Sequence, residues 1–386
     1  MKKIYTFRKL INDLHLWLGL ASGIVLFVVC FTGTLLAFET DLVEYFDKED
    51  YYSEKIGEKV AYQTIIDEIQ KENLVVKDFI FFGEENKNII FNVLTAQQAQ
   101  SKKPVRAKSL VINPYTGEKV KTFGKARVFF QVVEKLHRFL LLDKKFGRPI
   151  VGISTIIFVF MCVSGLVLWF PKKLKKFKNK NAWKQGFTIK TSNWKRINYD
   201  IHNTLGFYFL IPLLAMGLSG LLWSFTWYYN GLEVVLGDKL GKSRFDTTVN
   251  ISTGKTDVTE SKAIDFKTLI KKTDSILNYP NNATRITLPL TVNQSLLVRK
   301  KSSKYLAYNA SDKIQFNPKN NKIISIDYFK TRKIGSKIAE LIRGIHVGNF
   351  VGMFSKIIYF LSCLIATSLP ITGTIVWLNK MKKKKS

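Results

Sequence analysis

A chain of 386 residues has room for one or two domains, and at 46% hydrophobic and 13% aromatic it carries long apolar stretches beyond what a soluble core needs. The formal charge of +31 would suggest nucleic acid if it covered a soluble surface, but the densest basic runs flank apolar segments, which speaks against nucleic acid and for topology signals. Cys30, Cys162 and Cys363 all lie inside apolar runs without metal, disulfide or Cys-x-x-Cys-His spacing, so they read as inert small hydrophobes.

Residues 1–38 hold a short basic start and an apolar run from Leu14 to Phe38, long enough to cross a bilayer and too long for the core of a secretory signal. It reads as a retained first transmembrane helix with its N-terminus inside. Residues 39–136 have the composition of a soluble α+β module. An acidic start (Asp41, Glu44, Asp47, Glu49, Asp50) precedes a helical pattern through Val60, Ile65, Ile66 and Ile69. Strand-like runs follow at 74–82, 88–94 and 109–112, then a turn at Asn113-Pro114. The acidic start could attract a ferric ion but reads better as a solvated face.

Residues 137–170 comprise an outer segment beginning at His137 and a second apolar helix, about 147–170, that ends in Ser164-Gly165 and Trp169. The loop 171–198, with Lys172, Lys173, Lys175, Lys176, Lys178 and Lys180, is cytoplasmic by the positive-inside rule. A third helix over 199–229 ends in Trp223, Trp227, Tyr228 and Tyr229, an aromatic cluster suited to the outer interface. Residues 230–340 repeat the soluble pattern: a helix through Ile264, Phe266, Leu269 and Ile276, strands at 285–290, 295–299 and 304–308, and a hairpin of 314–316 with 323–328 around Asn317-Pro318. Residues 341–386 supply Arg343-Gly344-Ile345-His346, a fourth helix ending in Thr372-Gly373 and Trp377, and a basic tail.

The chain therefore repeats itself. Asp13-Leu14-His15 with Leu18-Gly19 returns as Asp200-Ile201-His202 with Leu205-Gly206, each with a basic pair upstream and a hydroxyl-Gly pair downstream, Thr32-Gly33 or Ser219-Gly220. The expected fold is an α-helical membrane protein, four transmembrane helices as a duplicated two-helix unit with two extracytoplasmic α+β modules.

All four histidines stand at the heads of these segments. With the N-terminus inside, His15 and His202 fall near the cytoplasmic face and His137 and His346 near the outer face. An imidazole there can be a packed polar group, a proton relay, a metal ligand or an axial haem ligand. Two pseudo-symmetric pairs without accompanying thiols or carboxylates suit bis-histidine haem b better than zinc. Gly19, Gly23, Gly206, Gly348 and Gly352 would let a macrocycle approach or simply let helices pack. Asp13 and Asp200, two residues before their histidines, lie on another helix face. Phe27, Phe31 and Phe158 are candidates to lie between the two levels.

At these residues the chain resembles the PepSY-associated transmembrane helix family, which includes iron-regulated bacterial inner-membrane proteins and ferrisiderophore reductases. The resemblance spans the four helices, the two PepSY-like modules and the Leu-His and hydroxyl-Gly-plus-Trp signatures. It implies two b-type haems, one on His15 and His202 and one on His137 and His346, and a multi-pass inner-membrane protein with both termini cytoplasmic. It further implies reduction of a periplasmic ferric siderophore or other ferric chelate from Fe(III) to Fe(II), with electrons from a separate cytoplasmic or membrane donor. No dinucleotide fingerprint is present, and Gly237 with Gly241-Lys242-Ser243 is one residue short of a phosphate loop. Two alternatives stand beside this reading: a haem-free PepSY-type binding or regulatory protein, and an electron carrier to another acceptor such as copper, a quinone or a periplasmic enzyme.

Overall fold

The computed structural model describes residues 5–101, 105, 107–120, 124–171, 186–237, 240, 264–291, 293–302 and 310–385. The lysine run 172–180, the Gly241-Lys242-Ser243 segment and the strand expected at 304–308 lie outside the described residues. Ten helices of ten or more residues are described: α1 Phe7–Leu36, α2 Tyr62–Lys71, α3 Lys125–Phe139, α4 Lys144–Trp169, α5 Trp194–Tyr208, α6 Leu210–Ser224, α7 Thr226–Leu236, α8 Phe266–Ile276, α9 Ile334–Val347 and α10 Gly352–Lys385. The strands are β1 Leu74–Phe82, β2 Ile89–Thr95, β3 Lys108–Ile112, β4 Asn281–Thr287, β5 Leu296–Ser302, β6 Ser311–Phe316 and β7 Ile323–Asp327. The chain divides into two compact units, one helical (1–39, 129–235, 342–386) and one built on a sheet (40–128, 236–341).

In the helical unit α1, α4 and α10 are each long and apolar enough to cross a membrane. The pair α5 and α6 together makes a fourth candidate, bent by 65°. The third helix was expected unbroken over 199–229. It is interrupted at Phe209, and Pro212 supplies the reason, since it has no N–H for the Tyr208 carbonyl. A π-helical turn over Ile201–Leu205, carrying His202, precedes the bend. α1 packs against α4 and α10, and α6 packs against α4 and α10, so these elements surround a common interior. Cys162, Leu213 and Ala366 are buried there, with Cys30, Phe158, Met216 and Leu369 against them.

The outer histidines depart from their expected placing at the heads of membrane helices. His137 ends α3, and Leu140 and Leu141, both left-handed (φ 55° and 58°), turn the chain before α4 begins. His346 ends α9, and Gly348 (φ 74°) and Gly352 (φ 60°) make the corresponding break before α10, a conformation that costs glycine little.

In the sheet unit the two expected α+β modules are joined edge to edge. One seven-stranded antiparallel sheet runs β3-β2-β1-β4-β5-β6-β7, with β1 pairing β4 from Asp78–Thr287 to Phe82–Ala283. One face buries Phe79, Phe91, Ile286, Val298 and Ile314 under α2 (Ile65, Ile66, Ile69) and α8 (Phe266, Leu269). The acidic start is not a plain solvated face. Asp47 accepts from the backbone N–H groups of Ala126 and Arg127, capping α3, and Asp50 accepts from Gly124. Glu44 pairs with Lys87 at 2.7 Å.

Candidate functional site

The repeated hydroxyl-Gly pairs find their use in the seating of the histidines. Each imidazole leaves its own helix and places Nδ1 on the hydroxyl of a Ser or Thr on another: His15 on Ser164 (2.8 Å), His137 on Thr32 (3.0 Å), His202 on Thr372 (2.9 Å) and His346 on Ser219 (3.0 Å). The hydroxyls already donate to carbonyls of their own helices, Thr32 to Val28 at 2.7 Å, Ser219 to Ala215 at 2.6 Å, Thr372 to Ser368 at 3.0 Å and Ser164 to Met161 at 3.3 Å. A hydroxyl has one proton, so each must accept from the imidazole N–H. The Val29 and Met216 carbonyls, 2.9 and 3.1 Å from the Nδ1 atoms of His137 and His346, require the same assignment because a carbonyl can only accept. His137 and His346, each with a carbonyl beside Nδ1, thus carry the proton on Nδ1 and keep the lone pair on Nε2, the arrangement in which a histidine ligates a metal, and the matching seats of His15 and His202 fit the same assignment.

At Gly373 and Gly220 the missing Cβ makes room for the ring, and at Gly165 and Gly33 a Cβ would meet it in ordinary contact. A Cβ built on Gly373 would lie 3.1 Å from His202 Cε1, on Gly220 3.3 Å from His346 Cε1, and on Gly165 and Gly33 3.5 Å from His15 and His137. Of the glycines singled out by closeness in sequence, Gly19 and Gly206 line the inner cavity, Gly23 faces Pro370, and Gly348 and Gly352 serve the chain break.

The four rings meet in two pairs. His15 faces His202 with ring centroids 6.4 Å apart and planes at 87°, and His137 faces His346 at 6.3 Å and 67°. A metal held axially by two imidazoles, with bonds of about 2 Å each and about 1 Å from nitrogen to ring centre, puts the centroids about 6 Å apart. The centroid spacing of each pair matches that value. Among the described residues no group of three or more His, Cys, Asp or Glu side chains converges on a metal position, so further equatorial ligands would have to come with the ion. On α3 and α9, outside the spanning helices, burial lowers both outer imidazoles, and with His137 beside it His346 falls to about 4. Both are neutral at ordinary pH.

A cavity of about 560 Å³ opens beside the inner pair, lined by His15, His202, Gly19, Gly165, Gly206 and Gly373, by Trp169 and Trp377, and by Arg8, Lys9 and Lys380. Trp169 stacks on Phe207 at 3.7 Å along its wall. At the outer pair the Trp223 ring stands 5.0 Å from His346, edge to face. Along α1, the 17 residues from His15 to the seat of His137 at Thr32 rise about 26 Å.

Phe158 packs in the interior between the levels, whereas Phe27 and Phe31 stack on each other and are 36% and 47% exposed, so they point outward. The two aspartates bond away from the rings. Asp13 accepts from Tyr5 at 2.7 Å, and buried Asp200 accepts from the Lys190 backbone and from Arg196 at 2.8 Å. Sequence reasoning missed the role of the hydroxyls, although their recurrence beside glycine was the signal.

A sequence profile of the family described as "PepSY-associated TM region" matches residues 13–380. No curated protein matches the chain.

Proposed function

The chain belongs to the PepSY-associated transmembrane family, and within it we propose an electron-transfer protein of the bacterial inner membrane that reduces a ferric chelate, such as a ferric siderophore, on the periplasmic side. His15 and His202 would hold one b-type haem and His137 and His346 a second. When bound, each haem would supply a one-electron iron couple, the chemistry that electron transfer requires. The observation that carries the reading is the spacing of the two imidazole pairs, 6.4 and 6.3 Å, with all four Nδ1 atoms committed elsewhere.

The protein's own groups do the rest. Ser164, Thr32, Thr372 and Ser219 would orient the rings, and Gly373 and Gly220 keep a Cβ from crowding them. Arg8, Lys9 and Lys380, which line the inner cavity, would supply positive charge for carboxylates. The same residues put the basic end of the helical unit at the inner pair, which supports cytoplasmic termini and four spans, counting bent α5 and α6 as one. Matching seats in the two halves support a duplicated two-helix unit. Cys162, Leu213, Phe158 and Ala366 pack the interior between the levels against water and ions. One electron, from a separate donor inside or in the membrane, converts one chelated Fe(III) to Fe(II), which an oxygen-donor chelator holds less tightly and releases.

An absorption spectrum of the detergent-purified protein, oxidised and then dithionite-reduced, tests this. Two haems per chain with a sharp reduced b-type band, reoxidised by ferric chelates, are the expected result. Haem-free protein from haem-supplied cells would overturn it and leave a PepSY-type binding protein. Haem that ferric chelates fail to reoxidise would point to another periplasmic acceptor.

A further inference from the structure

Among the described residues, only one of the two edges of the sheet is closed. Beyond β3 the chain comes back on itself: Lys119 bridges Ile112, and the Val120 N–H donates to the Val111 carbonyl at 2.8 Å. Beyond β7 no described strand or bridge stands, so one side of its backbone is left without a ladder. An apolar edge in this condition is a template for another chain.

At β7 the edge is also where the core runs out of cover. Ile326 pairs with Ile314 and Ile323 with Phe316, so these isoleucines continue the face that packs under α2 and α8. Ile314 and Phe316 are fully buried, but the packed core ends at β6, and Ile323, Ile324 and Ile326 are 41%, 45% and 38% exposed.

Charge and length narrow what can cover them. Lys319, Lys322, Lys330 and Lys333 are exposed along the strand and its flanks, while the strand's one carboxylate, Asp327, accepts from Arg332 at 2.9 Å. Arg332 also donates to the Asp327 carbonyl at 3.2 Å, so the open length runs from Ile323 to Ile326. Ile323 lies opposite Phe316 and Ser325 opposite Gln315, which leaves Ile324 as the extra residue of a bulge that bends the strand. Bulges and lysines keep two like edges from zipping together, and a second copy would bring the same lysines to the joint. A short strand with acidic side chains meets neither obstacle.

We propose that β7 is a docking edge for a short, extended, acidic segment of a partner protein, which adds to the sheet as an eighth strand. Its backbone bonds to the free side of Ile323 to Ile326, its apolar side chains cover Ile323 and Ile326, and its carboxylates meet the flanking lysines. Main-chain bonds supply the affinity in this mode of recognition, and side chains select the partner.

Fluorescence anisotropy of a labelled peptide of alternating glutamate and valine, about eight residues long, titrated with the full-length protein in detergent at low salt, tests the assignment. The expected result is saturable binding that weakens about tenfold in Lys322→Glu, is unchanged in Lys108→Glu, the same charge reversal on β3 at the other edge, and is lost when the peptide nitrogens of the probe are methylated. The same peptide with lysine in place of glutamate should not bind. Equal binding by the methylated peptide would overturn strand addition, and equal binding by Lys322→Glu would overturn the site. Equal binding by the lysine peptide, or no binding by the glutamate peptide up to millimolar concentration, would overturn the acidic partner. Light scattering on the peptide-free protein gives the remaining outcome: a dimer that Ile326→Glu dissociates would put a second copy on this edge and overturn the proposal.

Discussion

A histidine held through Nδ1 would be a tuned ligand of the haems proposed above, and the four seats differ in a way that can be measured. The Thr32 hydroxyl and the Val29 carbonyl both stand within hydrogen-bond distance of His137 Nδ1, so loss of the hydroxyl leaves an acceptor in place. His15 is held by the hydroxyl of Ser164. An acceptor on Nδ1–H makes the imidazole more basic and favours the ferric state. Ser164→Ala is therefore expected to raise the midpoint of the inner haem by tens of millivolts, where about 59 mV corresponds to a tenfold change for one electron. Thr32→Val should shift the outer haem by less. Spectroelectrochemical titration of the two variants decides it, and an unmoved inner midpoint beside a shifted outer one would refute the assignment. The histidines and the hydroxyl-Gly pairs were legible from their recurrence. Their connection was not, because His15 and Ser164 stand 149 residues apart and only the folded bundle brings them together.

At the scale of elements, hydrophobic period carried most of the reading. The run 74–82 is β1 as expected, and α8 covers the predicted helical pattern. β4 begins at Asn281, earlier than its apolar residues announce, because Asn281 and Ala283 pair with Ser302 and Lys301 of β5. Partner strands fix such a start, and one strand's composition does not. The same limit hid the joint between modules, where β1 pairs with a strand from the other half. Phe79 is the residue on which that joint closes. It is fully buried, stacks on Phe91 at 5.1 Å and Tyr62 at 4.9 Å, and meets Phe266 edge-on at 5.5 Å, so it touches side chains from both modules. Phe79→Ala should cost the sheet unit about 3–5 kcal/mol. All seven tryptophans fall within the sequence ranges of the helical unit, so the earlier melting should show in far-ultraviolet dichroism and leave tryptophan fluorescence unchanged. A variant melting like wild type would place the core elsewhere.

For the whole molecule, the decisive property is that each imidazole pair draws one ring from each half of the chain. Neither half holds a complete pair, so the repeat works only when both copies fold against each other, and loss of one ring removes one level while the other keeps both ligands. His202→Ala should leave the pair His137 and His346, and His346→Ala the pair His15 and His202. Each variant is expected to bind one haem per chain. About 26 Å of helix rise separates the levels, and on the proposed reading an electron passing from an inner donor to an outer chelate uses both in turn. In proteoliposomes enclosing a reductant, with a ferric chelate and an Fe(II)-specific dye outside, wild type should generate Fe(II) and both single-haem variants should lose most of that rate. The two losses mean different things. Dithionite added outside should still reduce the remaining haem in His202→Ala, which separates a broken path from a collapsed protein. If either variant kept wild-type transmembrane reduction, the two levels would not lie in series, and the pairs would have to be read as independent sites.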